Sequence, residues 1–150
     1  MKTDLQKVYA IAGYPGLFIH VSQARNGIIV ESLSDKKRMC AGPSMRVTTL
    51  SDVAMYTDKD ELPLQEVLEK VKNVYNGEKS IDPKSDTAVL RQFMESILPN
   101  YDRERVYPSH IKKLAEWYNV LQANDMLDFE EREKENENEE EEENQTENQS

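Results

Sequence analysis

The fold turns on one stretch: Leu17-Phe18-Ile19-His20-Val21-Ser22-Gln23-Ala24-Arg25, then Asn26-Gly27, then Ile28-Ile29-Val30-Glu31-Ser32-Leu33. Two β-rich runs flank Asn-Gly, the dipeptide best suited to a type I′ turn, in which both central residues take φ > 0. A two-residue Asn26-Gly27 loop pairs Val21 with Ser32. That register sets Leu17, Ile19, Val21, Ile28 and Val30 on one face, the face expected to meet the core.

Working toward the C-terminus, Ser34-Asp35-Lys36-Lys37 reads as the next turn and Arg38–Cys40 as a short strand. Ala41-Gly42-Pro43-Ser44 breaks the pattern. Arg46–Leu50 is β-branched and predicts a strand, and Val53–Thr57 predicts a last one. Toward the N-terminus, Tyr14-Pro15-Gly16 favours a turn. Thr3 or Asp4 is placed to cap a short helical turn carrying Leu5, Val8 and Tyr9. Short strands this closely spaced predict a small SH3-like β-barrel, with a curled β-meander covered by a helix as the alternative.

After Asp60 the period changes. Leu64, Val67, Leu68, Val71, Val74 and Tyr75 recur at helical spacing and predict a helix over 62–76, with Pro63 in the first turn and Asn76-Gly77 at the end. Residues 77–84 read as a linker. A second helix starts at Ser85 or Asp86 and carries Val89, Leu90, Phe93, Met94 and Ile97. A third starts near Pro108 and carries Ile111, Leu114, Ala115, Tyr118 and Leu121, its stripe widened by Trp117 and Val120. The fold class is therefore α+β: a β-rich part at 1–60, a three-helix part at 61–128 and an acidic tail at 129–150.

The chain has 150 residues and a formal net charge of −10. The acid is concentrated. Residues 130–150 hold 11 Glu against Arg132 and Lys134, which leaves residues 1–129 at −1. From Glu130 onward there is no apolar residue, so the tail is expected to be disordered. A nearly neutral body is not the strongly basic module that nucleic-acid binding usually needs. No apolar run approaches the ~20 residues of a membrane helix, and Met1-Lys2-Thr3-Asp4 does not open a signal peptide. The single cysteine, Cys40, cannot form an internal disulfide. These features predict a cytoplasmic protein without a membrane partner.

Familiar reaction centres do not emerge. Cys40 lies near Lys36, Lys37 and Arg38, yet its simplest role is a half-buried strand position. His20 and His110 belong to no metal-ligand spacing, and the five glycines form no phosphate-binding loop. Asp58, Asp60, Glu61, Asp102 and Glu104 read as solvated charge. No cofactor is expected. Two basic groups are the candidate partner-binding residues: Lys36, Lys37, Arg38 and Arg46 on the β-rich part, and Arg103, Arg105, Lys112 and Lys113 around the last inter-helix turn. The first, with Tyr14, Phe18 or Tyr56 exposed beside it, is a candidate surface for single-stranded RNA or a peptide. Its competing explanation is a charged hairpin tip that discourages edge pairing.

Two stretches carry a resemblance. One runs Pro15-Gly16-Leu17-Phe18, Val21-Ser22-Gln23, Asn26-Gly27, Val30-Glu31-Ser32-Leu33 and Lys36-Lys37-Arg38, and ends with Met55-Tyr56-Thr57 and Pro63-Leu64-Gln65-Glu66-Val67. The other runs Tyr101-Asp102-Arg103-Glu104-Arg105-Val106-Tyr107, Ile111-Lys112-Lys113 and Trp117-Tyr118-Asn119. Together they resemble a family of small bacterial proteins classed as a domain of unknown function. The resemblance covers about residues 5–129. It implies a β-rich N-terminal part and a helical C-terminal part, with no activity or catalytic residue to carry over. Met39-Cys40 stands where the resemblance implies a more ordinary apolar pair, which argues against a thiol function.

The function expected is that of a non-enzymatic binding or adaptor protein, holding a protein or RNA partner on the barrel or the helical hairpin. The rivals are an enzyme or small-ligand binder with a site at the junction of the two parts, and a structural homo-oligomer subunit. The junction site requires His20, His110, Tyr107 or the Arg103/Arg105 pair to converge. The oligomer requires Trp117 and Val120 to be exposed.

Overall fold

A computed structural model describes residues 2–130. Asp4 opens the first structural element. Its carboxylate accepts the Gln6 amide proton at 2.9 Å and caps a 3₁₀ turn at Leu5–Lys7. The turn then gives way to strand β1 (Val8–Ile11), where the sequence predicts continued helical geometry at Val8 and Tyr9. Val8 and Tyr9 instead pair with Ile19 and Phe18 of β2 (Tyr14–Ala24), and Tyr9 also pairs with Thr49 of β5 (Val47–Thr49). A strand position between two neighbours satisfies both sides of the backbone, which one isolated turn does not.

β3 (Gly27–Ser32) and β4 (Arg38–Ala41) complete a five-stranded antiparallel sheet in the order β4-β3-β2-β1-β5. The SH3-like barrel is not formed. β4 and β5 are the two edges and do not pair. The strand predicted at Val53–Thr57 is β6 (Ala54–Tyr56), and it leaves the sheet to form a separate two-stranded ribbon with β7 (Glu61–Pro63). The sheet is nonetheless curled. Met39 from one edge strand and Val47 from the other both pack on one small cluster of Ile11, Phe18, Val30 and Ala41.

The hairpin register also departs from expectation. Phe18 faces Ser32, His20 faces Val30 and Ala24 faces Gly27, with a bulge at Val21. The loop is Arg25-Asn26, and neither residue takes a positive φ. Phe18 rather than Val21 lies opposite Ser32, an offset of three residues. An odd offset moves side chains to the opposite face. Ile28 and Val30 therefore join Phe18 on the curled face, while Leu17 and Ile19 face the helices. Gly27 has another reason for being glycine: a Cβ there would lie 2.1 Å from the Ala41 carbonyl oxygen.

α1 (Leu64–Tyr75) ends in Asn76 at φ 55° and Gly77 at φ 76°, as its terminal Asn-Gly predicts. α2 (Thr87–Ile97) is capped by the Asp86 carboxylate, which accepts the Val89 amide proton. α3 (Pro108–Ala123) starts on its proline. The apolar stripes are narrower than the periodicity implies, since Val74 and Val89 are exposed. Leu17, Leu33 and Leu50 from the β-rich half share one buried cluster with Leu68, Met94, Leu114, Tyr118 and Leu121 from the helices. This mixed α+β core continues through Phe129, which is buried and bridges to Thr3. The expected disorder of the tail falls on residues outside those described, beyond Glu130.

Candidate binding cleft

Where the ribbon meets α3, the chain builds a cleft from a tight turn. The Thr57 hydroxyl accepts the Lys59 and Asp60 amide protons and donates to the Asp60 carbonyl oxygen, closing the link between β6 and β7. The ribbon then takes on the 100–102 segment as a partial third strand. Asp58 N–H donates to Asn100 O, and Asp102 N–H donates to Tyr56 O, both at 2.9 Å.

This docking positions Arg105. The Asp102 carboxylate accepts the Glu104 amide proton at 2.9 Å and Arg105 Nε–H at 2.8 Å. The guanidinium lies over the Tyr56 ring, 4.3 Å from its centroid. Hydrogen bonding by the Arg105 side chain, with help from the Glu104 amide, holds the Asp102 carboxyl below the usual range, and Asp102 raises Arg105 in return. Arg105 is exposed and Asp102 half-buried at the surface, so the pair orients Arg105 more than it stabilises the fold.

α3 supplies the opposite wall. His110, Lys113, Leu114 and Trp117 follow i, i+3, i+4, i+7 spacing and share one helix face. Tyr107 N–H donates to His110 Nδ1 at 3.2 Å, which leaves Nε2 of the neutral ring as the protonated nitrogen. The cavity between the walls has a volume of about 260 Å³. Val53, Met55, Leu64, Val106 and Leu114 form its apolar floor, with Trp117 beside them. Tyr56, Arg105, His110 and Lys113 form the rim.

The candidate residues are thus divided. Arg105 and Lys113 meet at the cleft. Arg103 is occupied elsewhere: it bonds the Pro99 and Tyr101 carbonyl oxygens, pairs with Glu95 at 3.0 Å and covers the Tyr101 ring. Lys112 is exposed and does not line the cavity. Lys36, at φ 64°, donates to the Asn124 side chain, and Arg38 pairs with Glu31 at 3.0 Å. Lys37 is exposed beside them, along a shallower groove against α3 at Glu116 and Val120. Arg46 is exposed just before β5, the opposite edge strand.

Of the proposed junction residues, His110 and Arg105 converge. Tyr107 is exposed and packs its ring near His110. His20 lies on β2 against Tyr9, away from the cleft lining. Trp117 and Val120 are half-buried against the core. The role of Tyr56 as a platform for Arg105 escapes sequence reading, because it depends on the docking of residue 102 on residue 56. Among the described residues no group of three or more His, Cys, Asp or Glu could hold a metal ion, and no helix is long and apolar enough to cross a membrane.

Two family models match the chain: residues 5–50 match a domain of unknown function (DUF5606), and residues 53–121 match another (DUF6852). The chain is also similar to a protein from Bacteroides vulgatus whose solution NMR structure was a structural genomics target. The two are 44% identical, the match covers 81% of this chain and 87% of that one, and the TM-score is 0.69. A search of curated proteins finds no match. The chain therefore belongs to an uncharacterised bacterial family in which a β-rich N-terminal part is joined to a helical C-terminal part.

Proposed function

We propose that this protein is a non-enzymatic binding module whose cleft takes a short segment of a partner protein carrying an apolar side chain next to a carboxylate. One observation carries the reading: an apolar floor lies directly beneath a rim of Arg105, His110 and Lys113. A cavity of about 260 Å³ is at the small end for a metabolite site and suits one anchoring side chain. Arg105 is already held by Asp102 and Tyr56, so little of its freedom is lost when it meets a carboxylate. Lys113 makes no ion pair among the described residues.

The enzyme alternative has less support. The lining contains no Asp, Glu, Ser, Thr or Cys, so His110 has neither a nucleophile to activate nor an acid to orient it. RNA binding at the β3–β4 turn has less support too, since Lys36 and Arg38 are engaged within the protein.

Titration of ¹⁵N-labelled protein with acetylated tetrapeptides pairing Leu or Phe with Asp or Glu tests the reading. Resonances of residues 53–56, 105–107 and 110–117 should move together. Asn or Gln versions should bind about tenfold more weakly, the scale of a charge-assisted hydrogen bond. Lys113→Gln should weaken the acidic peptides while leaving the unfolding midpoint unchanged. Equal binding of acidic and amide peptides would refute the proposal.

A further inference from the structure

We infer that the partner segment enters this cleft as an added β-strand, pairing its main chain with Ala54 on the open edge of β6. This mode of binding rests on the function proposed above; the main-chain contact and the residue spacing it imposes are new.

The ribbon's own hydrogen bonds define the edge. Thr57 N–H donates to Asp60 O at 2.7 Å, and Leu64 N–H donates to Val53 O at 2.9 Å. Between these pairs Ala54 faces Pro63, Met55 faces Leu62 and Tyr56 faces Glu61. Along an antiparallel pair, hydrogen-bonded and non-hydrogen-bonded positions alternate. Val53, Met55 and Thr57 therefore turn their backbone polar groups toward β7, and Ala54 and Tyr56 turn theirs away. Pro63, opposite Ala54, has no N–H to offer in any case. The Tyr56 carbonyl oxygen marks the outer side, because it accepts Asp102 N–H there at 2.9 Å.

The chain itself fills only part of this edge. Residues 100–102 lie along 56–58. The Asp102 carbonyl oxygen then accepts Arg105 N–H at 3.2 Å and Val106 N–H at 2.9 Å, so the chain turns off before it reaches Ala54. Among the described residues, Ala54 N–H and C=O find no hydrogen-bond partner. Ala54 belongs to the cleft lining, so this open donor and acceptor border the cavity. Segment 100–102 makes in cis the addition that a partner makes in trans further along the same edge.

The side chains select the occupant. Successive residues of a strand point to opposite faces. Tyr56, and with it Ala54, lies on the face covered by the Arg105 guanidinium. Met55 is buried on the other face. A partner residue paired with Ala54 presents its side chain on the Arg105 face, where a carboxylate meets Arg105 and Lys113. Its neighbour in sequence points to the Met55 face, where an apolar side chain meets Leu64 and Leu114. The acid and the apolar residue must therefore be adjacent. One intervening residue would send both side chains to the same face.

The test uses the full chain, ¹⁵N-labelled, with the acetylated and amidated tetrapeptides Ala-Leu-Asp-Ala and Ala-Asp-Leu-Ala as probes. In the tighter binder an ester replaces the amide that carries the Asp N–H. This removes the donor to Ala54 O and keeps every side chain, and it should weaken binding about tenfold. An ester at the next link, whose N–H points away from β6, should leave binding unchanged. In the complex the Ala54 amide proton should move downfield and exchange with solvent several-fold more slowly. A Gly between Leu and Asp should weaken binding about tenfold, the scale of one lost charge-assisted hydrogen bond.

Unchanged exchange at Ala54, or equal binding of the peptide and its Asp ester, would overturn the inference. If acidic peptides then still bound more tightly than their amide versions and shifted residues 110–117, the proposed function would stand without strand addition. Equal binding of the Gly-spaced peptide would also overturn the inference, since it contradicts the alternation. No binding by any of these peptides would overturn the inference and the proposed function together.

Discussion

Asn119 on α3 accepts two hydrogen bonds from Ser80, one from the backbone N–H and one from the hydroxyl, each at 2.8 Å. Its own amide donates to the Ile81 carbonyl oxygen at 2.9 Å, and the neighbouring Tyr118 hydroxyl donates to Glu78 O at 2.6 Å. The connection between α1 and α2 is therefore stitched to α3 along its length. Asn119→Ala removes three of these bonds. It is expected to destabilise the fold by about 1–3 kcal/mol, read as a lower denaturant midpoint. Amide exchange should accelerate at residues 78–82 before it does in the helices.

Gly13 and Gly27 both take a positive φ, but at Gly27 a close backbone approach is added to it. At Gly13 (φ 88°) a Cβ would meet nothing within 4 Å, so only backbone strain opposes Gly13→Ala, about 1 kcal/mol. At Gly27 a Cβ would collide with the Ala41 backbone, and the β3–β4 pairing must open to admit it. Gly27→Ala is expected to cost about 3 kcal/mol. Thermal unfolding of the two variants checks the ranking; equal losses would contradict the close approach.

The hairpin register predicts different costs at two strand positions. Leu17 is fully buried under the helices, while Val21 sits at the bulge outside both apolar clusters. Leu17→Ala should cost about 2–5 kcal/mol and Val21→Ala less than about 1 kcal/mol. Under the Asn26-Gly27 register both would belong to the same core face, and the two losses would be closer.

Asp102 has a lowered pKa in the folded protein, so its contribution is present above the unfolded value and is lost as pH falls through the folded one. Below about pH 4 the Arg105 Nε–H resonance should therefore move as the carboxyl takes up a proton. Asp102→Asn should show that shifted position already at neutral pH, with no acid titration at Arg105. An Arg105 resonance that stays constant into strong acid in the wild type would show that the pair does not orient the guanidinium.

Much of the helical half is legible in the chain because its determinants are local. Asp86 caps α2, Pro108 starts α3, Asn76-Gly77 ends α1, and the apolar spacing between these points is helical. One wall of the cleft is legible in the same way, since His110, Lys113, Leu114 and Trp117 share a face through the helical period alone. The two-part α+β organisation also follows from the sequence, because the hydrophobic period changes after Asp60.

Tertiary structure decided the rest. Asn26-Gly27 announces a hairpin, but the register depends on a bulge at Val21 and on the approach of Ala41 to Gly27, a contact 14 residues away. Barrel or open sheet depends on which edge β6 meets, and Tyr56 pairs with Glu61 and hydrogen-bonds to Asp102 instead of closing onto β4. The cleft needs that choice, since it places Tyr56 under Arg105. A turn or a helix stripe is set by neighbours a few residues apart. A register, an edge and a cleft arise only where distant segments compete for the same backbone hydrogen bonds and apolar surface.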